Sequence, residues 1–166
     1  MTWTGTFVWT GLDSARIEIA RALWSSGRLE AQGTQIGTAP EPYELRYRLE
    51  PGWLAVEVVG GHSLELGLEG TDFFDLGFSP LFNSLPVRRD GLHRGGEARD
   101  YTMTWIDVPS LAVERTAQRY EPLRAGCVRY SDASFSAEVD FDEDGFVVRY
   151  PGLAERVHPP LRETPR

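Results

Sequence analysis

Lysine is absent from this 166-residue chain, cysteine occurs once, and no apolar run approaches the ~20 residues a membrane-spanning helix needs. A single cysteine, Cys127, excludes an internal disulfide framework and any site built from several thiolates. With no His or basic cluster beside it to lower its pKa, it reads as a small apolar filler in a strand. The 17 basic residues are all arginine and face 25 acids, a formal net charge of −8 whose average field repels phosphate and argues against nucleic acid as a partner. All-arginine usage reads as genomic base composition and carries no functional inference. The opening Met1-Thr2-Trp3-Thr4-Gly5 has no basic segment leading into an apolar run, so the expectation is a cytoplasmic protein without stable membrane insertion. His62, His93 and His158 are scattered, with no i, i+4 pair and no HxH spacing. The G-x-S-x-G elbow, the P-loop and the G-x-G-x-x-G fingerprint are missing too. Composition and motifs therefore assign no metal, no cofactor and no catalytic residue.

What the chain has in abundance is alternation with a period of two. Tyr43, Leu45, Tyr47 and Leu49 face one way while Glu44, Arg46, Arg48 and Glu50 face the other, which is a strand with one wet face. The pattern returns at Leu64, Leu66 and Leu68, and again at Phe135, Ala137, Val139 and Phe141. Less regular runs extend the reading to residues 7–9, 15–23, 28–36, 53–59, 101–106, 113–120, 127–130 and 146–150, about eleven strands in all. Residues 15–23 are alanine-rich enough for a helix, and their alternation decides for strand. Ser26-Gly27, Pro51-Gly52, Gly60-Gly61 and Asp144-Gly145 punctuate the runs as tight turns, which implies an antiparallel meander. One segment breaks the pattern. Ser79-Pro80 sets a capping serine before a proline at the first helical position, and Pro86 closes what reads as one helical turn near 79–85.

The expected architecture is thus all-β: one large antiparallel sheet curled into a half-barrel or barrel, forming a single domain over residues 1–157, with 158–166 as a flexible tail. Eight strands close on an interior that side chains can fill, and a wider sheet leaves a lumen. With few helices to plug it, such a sheet holds a ligand, holds water, or flattens into a two-layer sandwich. Strand count leaves cavity and sandwich equally open.

Two features bear on chemistry. Asp72-Phe73-Phe74-Asp75-Leu76, then Asn83, then Arg88-Arg89 put acids, an amide and paired guanidiniums on neighbouring loops. Arginine forks grip carboxylate, phosphate or sulfate, and Asn serves a sugar hydroxyl as donor and acceptor. An internal salt bridge that pins an irregular loop is the simpler reading of the same residues. The second feature is aromatic content, five Trp, six Tyr and eight Phe, which suits sugar stacking or an acyl channel and equally suits an ordinary β core.

The run Ser79-Pro80-Leu81-Phe82-Asn83-Ser84-Leu85-Pro86-Val87-Arg88-Arg89 resembles the (S/T)P-x-x-N-(S/T)-LP-(I/V)RR signature of the bacterial putative glycolipid-binding family. Matches continue through Trp105-Ile106-Asp107-Val108-Pro109, Gln118-Arg119-Tyr120, Asp144-Gly145-Phe146-Val147 and Tyr150-Pro151-Gly152-Leu153, covering residues 40–157. The resemblance implies a many-stranded antiparallel half-barrel similar to the lipid-carrying lipoproteins of the bacterial envelope, and a small amphiphilic ligand, glycolipid or lipid. It places Asp75, Asn83, Arg88, Arg89, Trp105 and Tyr120 in the candidate ligand-binding set. The family often shows Gly-Cys-Leu-Asp-x-Asp where this chain has Gly70-Thr71-Asp72-Phe73-Phe74-Asp75. That shift turns the first acid to the opposite face of a strand, so Asp75 is carried over and Asp72 is not. Two alternatives stand beside binding: an enzyme acting on a small carbohydrate-like or lipid-like metabolite with Asp75 as acid or base, and a protein-interaction module using an exposed strand edge.

Overall fold

A computed structural model describes residues 2–160; the last six residues of the expected tail lie outside the described residues. The elements run β1 (Thr2–Gly11), β2 (Arg16–Ser25), β3 (Arg28–Gly37), β4 (Tyr43–Glu50), β5 (Trp53–Val58), β6 (Ser63–Gly67), β7 (Phe73–Leu76), α1 (Pro80–Asp90), β8 (Arg99–Ile106), β9 (Val113–Arg124), β10 (Cys127–Ser131), β11 (Ser136–Phe141), β12 (Val147–Tyr150) and β13 (Ala154–His158). A single 3-10 turn, Leu92–Arg94, follows α1. All thirteen strands belong to one open sheet in the order β6-β5-β4-β3-β2-β1-β13-β12-β11-β10-β9-β8-β7. Two meanders, β1 to β6 and β8 to β13, meet where β1 pairs with β13, so the sheet carries both ends of the described chain in its middle. Every pairing is antiparallel except β7 with β8, which α1 connects.

Thirteen strands replace the expected eleven. The two unforeseen ones are short: β7 spans four residues with Asp75 among them, and β13 alternates over only five. His158, assigned to the tail, pairs with Val8.

β6 and β7 are the two edges of the sheet, yet residues 68–72 alone connect them. Such a link spans at most about 20 Å, so the edges must approach and the sheet must curl. The seam between them stays open. The predicted turns sit at the hairpin tips, with Gly27, Gly52, Gly60 and Gly145 at φ of 74–79°.

The inside of the curl is filled rather than hollow. Leu81 and Phe82 of α1 and Leu76 of β7 are fully buried against Leu45, Leu54, Val56, Phe7 and Trp9. A second cluster on β8–β12 is dominated by Tyr101, Tyr120, Tyr130 and Tyr150, joined by Val87 and Leu92. β7 stands between the clusters, Phe74 and Leu76 facing the first and Phe73 the second. Helices are few among the described residues, as expected, yet α1 fills the curl because it is longer than the single turn its signals indicate. It continues through Pro86 to Asp90 and ends at Gly91, whose φ of 68° lets its N–H reach the Val87 carbonyl. An interior proline costs about 3 kcal/mol. Burial of Leu81, Phe82, Pro86 and Val87, together with the side-chain anchors described below, offsets it.

Gly33 shows how tightly the interior is set. Tyr47 lies across it from β4, packs edge-on against Phe82 with centroids 5.3 Å apart, and donates a 2.6 Å hydrogen bond to Glu18 Oε1. A Cβ on Gly33 would stand 2.1 Å from the Tyr47 ring, and a ring held at three points has nowhere to go. Gly33→Ala is expected to cost about 2 kcal/mol, a melting temperature lower by roughly 4–8 °C. An unchanged thermal melt would show that Tyr47 is free to move.

Candidate functional site

The segment that carries the family signature is α1, and most of its polar side chains fasten the helix to the sheet. Ser79, in extended conformation at the N-cap, does not cap with its side chain; its hydroxyl donates to Glu18 Oε1 on β2 at 2.6 Å. Asn83 donates to the Tyr120 hydroxyl on β9 at 3.3 Å. The Ser84 hydroxyl donates to the Pro80 carbonyl and accepts the Val147 N–H of β12 at 3.1 Å. Arg88 donates to the Asp144 carbonyl oxygen and lies over Phe146 and Trp24, 4.0 and 4.6 Å from their centroids. Four residues of one helix thus reach four different parts of the sheet. The lock is made of hydrogen bonds, the one from Arg88 charge-assisted, and cation–π contacts rather than the salt bridge anticipated from residue types.

The six candidate residues do not form one constellation. Asp75, Asn83 and Tyr120 are buried and joined through Gln118, which donates to Asp75 Oδ2 at 2.5 Å and accepts from the Tyr120 hydroxyl at 3.2 Å. Burial pushes the Asp75 carboxyl up to about 6, against the lowering effect of the Gln118 hydrogen bond. The Tyr120 hydroxyl is also pushed well up, first by burial and then by Asp75. Trp105 is adjacent to Asp75 in register on β8 and lines a separate groove. Asp72, set aside on sequence grounds, accepts the Thr102 N–H and lies at the seam.

Arg88 and Arg89 both line a cleft of about 270 Å³ at the open seam. Its walls come from Trp24, Leu29, Leu49, Leu68, Phe73 and Leu85, that is, from the ends of β2, β3, β4 and β6, from β7 and from α1. Arg28, Arg88 and Arg89 line it against Glu50 and Asp72, a local positive balance in a chain of net charge −8. Arg89 is exposed, held by Asp90 at 3.1 Å and stacked over Phe73 at 4.3 Å. Only two of its five N–H donors engage Asp90. An apolar wall beside an available guanidinium suits an amphiphile with an anionic head.

Trp24, Leu29 and Leu49 were not singled out from sequence. The turn dipeptides beside them, Ser26-Gly27 and Pro51-Gly52, predicted hairpin tips, but nothing local said that both tips would lean toward one helix. Glu18 was missed as well. It is 2% exposed, and burial raises its carboxyl to about 7 despite hydrogen bonds from Ser79 and Tyr47.

A family model described as putative glycolipid-binding matches residues 51–156. Among solved structures, a DUF1089 family protein from Pseudomonas aeruginosa shares the fold with a TM-score of 0.56 at 23% identity, over 94% of this chain and 92% of that one. No curated protein matches.

Proposed function

The chain belongs to the putative glycolipid-binding family, and from that premise we propose that it binds a lipid or glycolipid with an anionic head at the seam between β6 and β7. The observation that supports this reading is the cleft itself, with apolar side chains on its walls and Arg89 at its rim. At about 270 Å³ it lies just below the usual range for small-molecule pockets, so it takes the head-proximal part of an acyl chain and leaves the remainder outside. Arg89 grips the head, Arg88 holds the helix that presents it, and Asp75, Asn83 and Tyr120 support the far side of that helix.

Isothermal titration with alkyl phosphates from butyl to dodecyl tests the proposal. Affinity should tighten by about fourfold per methylene while the chain fills the cleft, then level off. Octyltrimethylammonium should bind at least about tenfold more weakly than octyl phosphate. Equal affinity for the two head charges would remove the role given to the arginines.

One observation favours a second reading. A buried carboxyl raised to about 6, hydrogen-bonded to a fixed amide, has the character of a general acid. Turnover of 4-nitrophenyl glycosides with a rate break near that pH, lost in Asp75→Asn, would establish catalysis over simple binding.

A further inference from the structure

A groove of about 730 Å³ runs along β8, β9 and the β10–β11 loop, sharing no residue with the seam cleft. We propose that it is a saccharide-binding site for an uncharged sugar, with Trp105 as the stacking surface. The size falls within the range for small-molecule sites. Trp105 is only partly buried, and its flat indole offers an apolar face to the C–H side of a pyranose ring.

The polar groups around it are already held in place. Tyr130 donates to Asp132 Oδ2 at 2.9 Å, while Asp132 Oδ1 accepts from the Ser134 and Phe135 N–H groups, so the loop carboxylate is aimed before any ligand arrives. Gln118 is fixed by Asp75 on one side and Tyr120 on the other. The Thr116 hydroxyl is buried in the groove wall and, among the described residues, has no hydrogen-bond partner. Fixed carboxylate and amide oxygens beside an aromatic plane match the alternating hydroxyl and C–H faces of a sugar.

Charge selects among ligands. Asp100, Glu114 and Asp132 line the groove against Arg119, which is itself paired with Asp100 at 2.8 Å. Phosphate and sulfate are therefore disfavoured here, the opposite of the preference proposed for the seam.

Amide-resolved NMR titration of the whole chain with cellotriose, maltotriose and chitotriose, each at about 10 mM to detect millimolar binding, tests the inference. At least one sugar should shift the amides of Trp105, Gln118 and Tyr130 to Ser134, and its sulfated form should shift them less. Trp105→Ala should weaken that binding at least tenfold while Trp105→Tyr retains most of it, with amides outside the groove unchanged in both. Silence across all three sugars, shifts confined to other surfaces, undiminished binding by Trp105→Ala, or equal response to the sulfated sugar overturns the proposal. Octyl phosphate added to the same samples keeps the two sites apart. Seam shifts without sugar shifts overturn this inference alone, and sugar shifts without seam shifts overturn the seam reading alone.

Discussion

Arg88→Ala should lower the melting temperature by roughly 5–10 °C, whereas its neighbour Arg89→Ala should leave stability within about 0.5 kcal/mol and weaken octyl phosphate binding by at least tenfold. The two side chains are adjacent in sequence but do different things. Arg88 sits between Trp24 and Phe146 and donates to the Asp144 carbonyl. Burial lowers its pKa, opposed by Asp144 and Asp142, and an arginine stays charged at any ordinary pH. Truncating it removes a desolvated cation–π pair, a charge-assisted hydrogen bond and the packing of its stem, together about 2–4 kcal/mol. Arg89 is exposed, and its partner Asp90 is also bonded by Tyr101, so the carboxylate is not stranded when Arg89 is cut back. What Arg89→Ala removes is a bidentate donor at the mouth of the cleft, about 1.5–3 kcal/mol of head-group interaction. Thermal melts and titrations on the two variants give a crossed pattern. If both lose ligand with unchanged stability, Arg88 is a ligand contact and the lock assigned to it is wrong.

Most of the fold was legible because its meanders are locally encoded. Tyr43 to Glu50 alternates without a break, the turn glycines stand where a positive φ is needed, and each hairpin pairs with its sequence neighbour. What escaped was decided at long range. α1 passes Pro86 because Glu18, Tyr120 and Val147, drawn from distant strands, and Asp144 of the β11–β12 turn hold it in place. No window around Pro86 contains that information. The same helix fills the space that strand count left open, which is why a sheet wide enough for a lumen has a solid centre.

The candidate site was half legible in the same sense. The residues of the signature fall into two groups by what their side chains touch. Ser79, Asn83, Ser84 and Arg88 keep the helix in place, and Arg89 is the one exposed residue of the run, with donors beyond those that engage Asp90. Residue type cannot separate these roles, since an arginine fork serves a carbonyl and a phosphate equally well. The side chains that give the cleft its apolar character are spread from Trp24 to Leu85, and only the curl of the sheet brings them together.

Stability should fall as the pH rises from about 4 to about 8, contrary to the behaviour of a protein held by ionised carboxylates. Glu18 and Asp75 keep their protons in the folded chain up to about 7 and about 6, well above their ordinary values of 4.5 and 3.8. The stability this confers is fully present below those ordinary values and is lost as pH rises through the folded ones. In that window each group contributes about 1.4 kcal/mol per pH unit. Ser79 and Tyr47 hydrogen-bond Glu18, and the Gln35 amide and Arg16 act from nearby; all four favour its ionised form, and desolvation outweighs them. His93 has the opposite sign, because burial lowers its pKa and its contribution is lost on acidification. A comparison with Glu18→Gln isolates the carboxyl from His93. The amide oxygen still accepts from Tyr47 and Ser79, and no charge has to be buried at alkaline pH. Relative to wild type, Glu18→Gln should gain roughly 2 kcal/mol between pH 5 and pH 8 in urea unfolding. Parallel stability curves for the two proteins would mean that Glu18 is ionised in the folded state, with the seat of α1 carrying a fixed negative charge.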